Sequence, residues 1–295
     1  MNEKITIDDS LCTKCRVCAE ICPNGIFRTE NDHTFIRHER VQLCVSCGQC
    51  MAACPENAIR VGGLDYNRDF FDLPDDADAD VHFDKLIQSR RSVRAFKDMP
   101  VPREKLEKIV SAVKFAPPSF PPIKTALTVV QKRQLIRESL PHMVTLYENL
   151  LKGLKHPVIK YFIKREVGPY RMRTVRNHIV PMFRIKLPFM KEGTEDAITR
   201  NAPAMILFHA EKESENYRTD ICIALTYAIL KAHSLGLGAT VIELIPPAVE
   251  KSPHLKKLFH IPDQNEVVAA MILGYPKFKY KKAINRQLNG VTWIN

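Results

Sequence analysis

The sequence lacks any window of 18 residues that is free of charged and polar interruption, so it offers no candidate for a membrane-spanning helix. Its first ten residues, MNEKITIDDS, are polar and acidic and lack the apolar centre of a secretory signal. These two absences predict a soluble, cytoplasmic protein. At 295 residues, of which 45% are apolar, the chain is long enough for a small domain followed by a larger one.

Cysteine is almost missing after residue 54. Eight of the nine cysteines lie within residues 12–54. The ninth, Cys222, stands in an apolar helical stretch, where we expect a small buried side chain. Because the cytosol is reducing, so dense a group of thiols indicates metal binding rather than disulfides.

Acidic residues are almost missing from residues 152–191, which contain eleven Lys or Arg and one acid, Glu166. This basic segment therefore has a net charge of +10 (11 − 1), whereas the whole chain has +11. One interpretation is an inserted helical cap with a solvated outer face, and another is a docking face for an acidic redox partner such as a ferredoxin or flavodoxin. An anionic membrane surface is a less favoured alternative, and no motif for nucleic acid accompanies the charge.

A glycine is also missing where a dinucleotide-binding loop would need one. The stretch GLGAT has Val241 in place of the third glycine of G-x-G-x-x-G, and it follows a predicted helix rather than a strand. The sequence therefore contains no Rossmann nicotinamide domain.

The cysteines form an internal repeat with a period of 32 residues, CTKCRVCAEICPNGIF at 12–27 and CVSCGQCMAACPENAI at 44–59. Three cysteines at two-residue gaps turn around one [4Fe-4S] cubane, and the fourth cysteine of each run binds the other cubane. A zinc ribbon needs only two cysteines per arm, so the doubled motif favours iron-sulfur clusters over zinc. The predicted ligands are Cys12, Cys15, Cys18 and Cys54 for the first cluster, and Cys44, Cys47, Cys50 and Cys22 for the second.

Residues 1–62 resemble a bacterial two-cluster ferredoxin, and residues 63–82 are predicted to be an acidic linker. From residue 83 to residue 295 the pattern predicts one α+β domain, with a basic helical insertion at about 140–195. Its predicted strands are LTVVQ (127–131), AMILFHA (204–210), ATVIEL (239–244) and VVAAMILGYP (267–276). A core helix is predicted from Asp220 to Leu235, ending at Gly236.

Four polar residues within five positions open this larger domain: Arg90, Arg91, Ser92 and Arg94. They offer cationic donors and a hydroxyl suited to a phosphate ester or a flavin carbonyl, although a solvated arginine cluster is the alternative from these residues alone.

This domain resembles the nitroreductase family of FMN enzymes through RRSVRAF, FAPPS, NAPAMILFHA, GLGATVIEL and VVAAMILGYP, in that order. The resemblance implies a central mixed sheet flanked by helices, a homodimer, and FMN held by Arg90, Arg91, Ser92 and Arg94. It also implies that Ser119 lies beside the flavin ring, that the backbone of Glu243 and Leu244 faces the reactive N5, and that Arg286 closes on the phosphate. Pro121 and Ile123 stand where the family usually has Asn and Gln, so the usual substrate preference is not implied.

Together these features predict an iron-sulfur flavoprotein oxidoreductase of nitroreductase type. The clusters would relay single electrons to FMN, which would reduce a small organic acceptor of nitro, quinone or enone type. The donor, a ferredoxin or NAD(P)H, is left open by the sequence. The alternative is a non-catalytic electron-transfer or flavin-holding module that serves a partner protein.

Overall fold

A computed structural model describes residues 5–31, 33–72, 78–119, 125–284 and 287–294 of the protein. The chain divides into two compact units, of which the first ends at Ala77 and the second begins at Asp78. No helix of the described residues is long and apolar enough to cross a lipid bilayer.

The first unit consists of two short antiparallel strand pairs and small helices. Strand β1 pairs with β4, and β2 pairs with β3. A small apolar core that includes Ile26, Phe27 and Met51 lies between them. The elements are β1 (Ile5–Ile7), α1 (Val17–Ile21), β2 (Phe27–Glu30), β3 (His33–Ile36), a 3-10 helix (His38–Leu43), α2 (Gln49–Ala52), β4 (Ile59–Val61) and α3 (Tyr66–Asp69).

The predicted linker 63–82 differs from the structure at both of its ends. Helix α3 belongs to the first unit, because Tyr66 and Phe70 pack against the core of that unit. Asp65 caps this helix by accepting hydrogen bonds from the backbone N–H groups of Asn67 and Arg68. The stretch was predicted to be a linker because it is rich in acidic residues, although it also contains Tyr66 and Phe70, which pack against the core.

The second unit is built around a four-stranded sheet in the order β5-β6-β8-β7. All four strands pair antiparallel, and a parallel bridge between Ser92 and Ala239 adds the Arg90–Arg94 segment to the edge at β7. The mixed sheet flanked by helices is therefore confirmed. The strands are β5 (Ala126–Val130), β6 (Ala204–Glu211), β7 (Gly238–Val241) and β8 (Asn265–Gly274).

The helices of the second unit cover both faces of this sheet. Each face contributes apolar side chains to its own buried cluster, and helix side chains complete both clusters. The helices are α4 (Ala79–Ser89), α5 (Arg103–Val113), α6 (Arg133–Gly153), α7 (Pro157–Val167), α8 (Pro169–Thr174), α9 (Val180–Lys191), α10 (Tyr217–Ser234), α11 (Ile245–Glu250) and α12 (Pro253–Leu258), with one π turn (Val175–Ile179). Helix α4 contacts α10, which is why the second unit begins five residues before the predicted start at Phe83.

Two local predictions can be compared with these elements. The core helix is confirmed as α10, and Gly236 ends it with a φ of 75°, a left-handed conformation that glycine adopts without a steric penalty. The predicted strand 239–244 is too long, because β7 ends at Val241 and the chain turns through Glu243 and Leu244 into α11.

Candidate cofactor sites

The two cysteine blocks have the same backbone conformation. Four pairs of residues, the members of each pair 32 positions apart, all have positive φ angles: Lys14 and Ser46, Arg16 and Gly48, Gly25 and Asn57, Asn31 and Gly63. Most of these residues are not glycine, so the left-handed turns are strained positions of the kind found at functional sites. Helices α1 and α2 begin at equivalent positions of the repeat. The sequence repeat is therefore also a structural repeat.

One cavity brings together the four cysteines predicted to hold the second cluster, Cys22, Cys44, Cys47 and Cys50. Its other walls include Ile5, Ile26, Phe27 and Val61, all buried apolar side chains. Cys22 belongs to the first block and the other three belong to the second. The chain thus folds so that the last cysteine of one block faces the first three of the other.

In the first block, Cys18 is buried and the nearby thiols of Cys12 and Cys15 interact with it electrostatically. The Cys54 sulfur accepts a hydrogen bond from the backbone N–H of Ala58 at 3.2 Å. Cys54 lies one repeat after Cys22, the residue that crosses to the other block in the cavity. The assignment of Cys54 to the first cluster stays a prediction.

Burial makes the thiols of Cys18 and Cys50 harder to ionise when no metal is bound. Burial, with smaller contributions from the charges of Cys47, Cys22 and Cys44, raises the pKa of Cys50 to about 11. Burial likewise raises the pKa of Cys18, and the charges of Cys12 and Cys15 contribute less. Metal-bound cysteine must be a thiolate, so loading these sites would release protons.

The four cysteines of the cavity fit a cluster by their chemistry and by their distribution. Among the described residues, no three His, Cys, Asp or Glu side chains converge closely enough to hold a single metal ion. In a [4Fe-4S] cubane each thiolate binds a different iron, so the ligands surround a volume rather than a point. Cys22, Cys44, Cys47 and Cys50 surround their cavity in this way.

The predicted flavin-binding segment is fixed at the edge of the central sheet. The backbone N–H of Val93 donates to the carbonyl of Ala239 at 3.1 Å. Further along the segment, Lys97 donates to Tyr275 at 2.8 Å, and Lys277 donates to Ala95 at 3.0 Å. The RRSVRAF and GYP motifs are therefore neighbours, although 180 residues separate them in sequence (275 − 95).

A cleft of about 340 Å³ opens where this segment meets β7 and α10. Arg90, Ser92 and Arg94 line it together with Thr226 and Thr240. Two cations and three hydroxyls around a space of this size suit an anionic organic ligand, since small-molecule sites commonly have volumes of about 300–1,000 Å³. Thr226 and Thr240 were not predicted from the sequence, because a Thr within a helix or strand has no pattern of its own.

Arg91 is the second arginine of the motif, and it points elsewhere. Its guanidinium donates to the carbonyls of Arg90 at 2.5 Å and Lys282 at 3.2 Å. Its Nε is buried, and no described residue accepts a hydrogen bond from it. The positive charges of Arg90 and Arg91 contribute, after burial, to lowering the pKa of His233. The arginines of this segment thus concentrate positive charge, which complements the negative charge of a phosphate.

Ser119 is held by a residue that the sequence did not indicate as part of the site. Its backbone N–H and its hydroxyl donate to the two carboxylate oxygens of Asp220, at 2.9 and 3.1 Å. Asp220 is buried in the first turn of α10, where the helix dipole favours a negative charge. Ser119 does not line the cleft of Arg90 and Arg94.

Glu243 and Leu244 also lie outside the lining of that cleft, in the turn after β7. Among the described residues, their backbone N–H groups donate to no other backbone group. The carbonyl of Leu244 accepts a hydrogen bond from the Tyr147 hydroxyl at 2.6 Å, which fixes the turn. Arg286, Pro121 and Ile123 lie outside the described residues.

Cys222 corrects an expectation. The sequence predicted a buried side chain, but the Cys222 thiol is exposed on α10. The apolar positions around it are the reason: Ile221, Ala224, Leu225 and Ala228 face the core, and Cys222 falls on the outer side of the same helix.

Two family models match the chain. The nitroreductase family model matches residues 87–275, and a 4Fe-4S dicluster domain model matches residues 11–59. The N-terminal part is 37% identical over 59 residues to an uncharacterized ferredoxin of Methanocaldococcus jannaschii, and the match covers 19% of this chain and 92% of that protein.

The larger part is similar to a protein of Methanothermobacter thermautotrophicus that carries the provisional name NADH dehydrogenase/NAD(P)H nitroreductase. The two are 25% identical over 196 residues, which covers 65% of this chain and 76% of that protein. Among solved structures, a nitroreductase with bound FMN from Desulfitobacterium hafniense superimposes with a TM-score of 0.53 at 19% identity, covering 72% of this chain and 97% of that one. The similarity to this structure shows the fold. The chain belongs to the nitroreductase family and has a 4Fe-4S dicluster ferredoxin domain before its nitroreductase domain.

Proposed function

We propose that this chain is an iron-sulfur flavoprotein oxidoreductase, in which two [4Fe-4S] clusters pass single electrons to an FMN that serves a small organic acceptor. One observation supports this proposal above the others. A single chain joins a dicluster ferredoxin domain to a nitroreductase domain whose Arg90, Ser92 and Arg94 line one cleft.

The residues proposed to bind the clusters are the eight cysteines of the repeat, with Cys22 and Cys54 exchanged between the blocks. The convergence of Cys22 with Cys44, Cys47 and Cys50 on one cavity supports the exchange. Part of the wall of that cavity is apolar, and the polarity and solvent exposure around a cluster are among the factors that set its reduction potential.

The residues proposed to bind FMN are Arg90, Ser92 and Arg94 at the phosphate and ribityl chain, assisted by Arg91 and Arg286. The charges of Arg90 and Arg94, which line the cleft, fit a phosphate dianion. The backbone N–H groups of Glu243 and Leu244 are proposed to face the flavin N5, and Ser119 to lie near the ring. FMN, when bound, exchanges electrons singly with a cluster and in pairs with an organic acceptor.

We also propose a homodimer. The C-terminal residues leave large apolar side chains in solvent when one chain is considered alone, among them Phe278, Leu288 and Trp293, which is 86% exposed. Exposed apolar side chains in such number indicate a protein interface. Size-exclusion chromatography with light scattering should give twice the mass of one chain, and a chain ending at Lys277 should give the monomer.

The proposal is tested by the cofactor content and the redox behaviour of protein purified without oxygen. We expect about eight irons, about eight sulfides and one FMN per chain. Reduced ferredoxin should bleach the flavin, and turnover with nitroaromatic, quinone or enone acceptors should follow. NADH and NADPH are tested in parallel, because the name of the Methanothermobacter relative includes these donors.

Absence of flavin or of iron would contradict the proposal directly. If both cofactors are present and become reduced but no small acceptor turns over, the chain is instead an electron-transfer module for a partner protein.

A further inference from the structure

The basic segment folds as helices α7 to α9 with an unusual outer surface. Eight of its cations are exposed and have no acidic partner among the described residues: Lys155, Lys160, Lys164, Arg165, Arg171, Arg173, Arg176 and Arg184. The single acid of the segment, Glu166, pairs with Lys251 of another element at 2.8 Å. The charge excess of this surface is therefore not neutralised within the part of the chain that the structure describes.

Large apolar side chains are exposed among these cations. They are Val158, Tyr161, Phe162, Tyr170, Ile185 and Phe189. Tyr161 and Phe162 are 62% and 60% exposed. Their rings pack edge to face, with the ring centroids 5.7 Å apart. A purely solvated cap would not present aromatic rings to water at this density.

Helix α7 shows how the two kinds of side chain are arranged. Ile159 and Ile163 lie close to Gly153 at the end of α6, which fixes the inner face of α7. Val158, Phe162 and Arg165 follow each other at intervals of four and three residues, so they share the outer face. All three side chains are exposed. The outer face of α7 is thus an apolar stripe with a cation within it.

We propose that the surface of α7 to α9 binds the face of an anionic lipid bilayer. Lipid phosphates would neutralise the cations, and the boundary between headgroups and acyl chains would accept Val158, Tyr161 and Phe162. Long Lys and Arg side chains can place their stems along an apolar boundary and their charges in the headgroup layer. An acidic protein partner would need an apolar patch matched to this stripe as well as its charges, whereas an anionic bilayer presents both features over its whole surface. These observations therefore favour the membrane surface over both the solvated cap and the acidic partner, which the sequence analysis had placed ahead of it.

Co-sedimentation with vesicles tests the proposal, which does not depend on the proposed function. The intact, cofactor-loaded protein should sediment with vesicles of phosphatidylcholine and phosphatidylglycerol, and not with phosphatidylcholine alone. Each cation near such a surface strengthens binding by about fivefold, so the triple variant Arg165→Gln/Arg171→Gln/Arg173→Gln should bind on the order of a hundredfold more weakly. The variant Tyr161→Ser/Phe162→Ser should lose at least about tenfold.

Matched variants outside this surface should bind as the wild type does. Lys114→Gln/Lys257→Gln/Lys279→Gln removes three exposed cations that have no ion pair among the described residues, and Val81→Ser/Phe83→Ser removes two exposed apolar side chains of α4. Iron content and circular dichroism equal to those of the wild type establish that each variant is folded. The wild-type dependence on lipid charge and salt tests the proposal independently of any variant.

Three results would overturn the proposal. One is wild-type protein that stays in the supernatant with both kinds of vesicle. Another is binding that the basic and aromatic variants leave unchanged. The third is loss of self-association in the aromatic variant without any loss of vesicle binding, because the surface would then belong to a second copy of the chain.

Discussion

His209 is a buried histidine of the central strand β6, and both of its ring nitrogens have hydrogen-bond partners. Nδ1 lies 2.8 Å from the amide nitrogen of Asn265, which can only donate, so Nδ1 accepts. Nε2 then holds the hydrogen and donates toward the Thr128 hydroxyl at 3.3 Å. This network requires a neutral imidazole.

Because of His209, the second unit should therefore become less stable as the pH is lowered. Burial lowers the pKa of His209 below its ordinary value, and Lys256 lowers it further, against the opposing effect of Glu250. In the unfolded chain the His209 side chain binds a proton near pH 6.5, whereas in the folded chain it stays neutral until a lower pH. The free energy of unfolding should thus be unaffected above the unfolded pKa and should decrease as the pH falls from there to the folded pKa.

Thermal unfolding followed by circular dichroism, at about pH 8 and about pH 5.5, measures this effect. His209→Gln should show a smaller loss of Tm on acidification than the wild type, whereas His178→Gln, which replaces an exposed histidine, should match the wild type. Equal losses in all three proteins would contradict the assignment.

The arginines of the cleft should decide how firmly FMN is retained. Arg94→Gln and Arg90→Gln each remove a charge-assisted donor to the proposed phosphate, so each should weaken FMN binding by roughly ten- to a hundredfold. Flavin released on dilution and its fluorescence give the dissociation constant. Arg103→Gln is the control, because Arg103 pairs with Glu107 on the surface of α5, 2.8 Å away. Unchanged FMN affinity in the cleft variants would exclude this site for the phosphate.

At the scale of elements, the close approach of the Arg90–Arg94 segment to β7 depends on Gly238. A Cβ atom at this position would lie 2.4 Å from Cγ2 of the buried Val93. No side chain other than hydrogen fits there without displacing the segment. The glycine therefore sets the distance between the strand edge and the arginines of the cleft.

Gly238→Ala should destabilise the second unit by about 1–3 kcal/mol, because it overpacks a buried contact. It should also lower the FMN content, since Ser92 and Arg94 would move away from Ala239. Denaturant unfolding and flavin absorbance measure the two effects. Gly290→Ala, at a glycine with nothing within 4 Å of an added Cβ, should change the free energy of unfolding by less than about 0.5 kcal/mol. A Gly238→Ala protein with wild-type stability and flavin content would refute this role.

Periodic elements of the second unit were predictable from the sequence, and the connections between them were not. Leu106 and Ile109 mark the buried face of α5, and the apolar stripe before Gly236 marks α10. By contrast, the end of β7 at Val241 depends on how the chain turns into α11. The contact of Asp220 with Ser119 spans 101 residues. No local pattern encodes such a contact.

More of the first unit could be predicted from the sequence, because its two cysteine blocks have the same spacing and each one supports the interpretation of the other. The cysteine spacing indicated that Cys22 would join the second block, and the cavity contains it there. The left-handed conformation of Lys14, Arg16 and Ser46 could not be read from their side chains, since such residues rarely adopt it. It follows from the tight turns that present the thiols.

At the scale of the whole molecule, cysteine variants should reveal the crossed assignment of the clusters. Cys22→Ala and Cys47→Ala should each lose about four irons and leave the same remaining cluster, with the same electron paramagnetic resonance spectrum after reduction. Cys54→Ala and Cys15→Ala should share a different spectrum. Cys222→Ala should keep all the iron, as the cysteine outside the repeat. A spectrum common to Cys22→Ala and Cys15→Ala would mean that each block holds its own cluster.

The central claim is that electrons reach the flavin through the clusters of the same chain. The most direct test is the anaerobic rate at which reduced ferredoxin bleaches bound FMN, compared between the wild type and Cys15→Ala/Cys47→Ala, a variant without either cluster. The variant should retain FMN, because its arginine cleft is unaltered, and should bleach at least about tenfold more slowly. Flavin reduction at the wild-type rate in a variant that contains FMN but no iron would contradict the account.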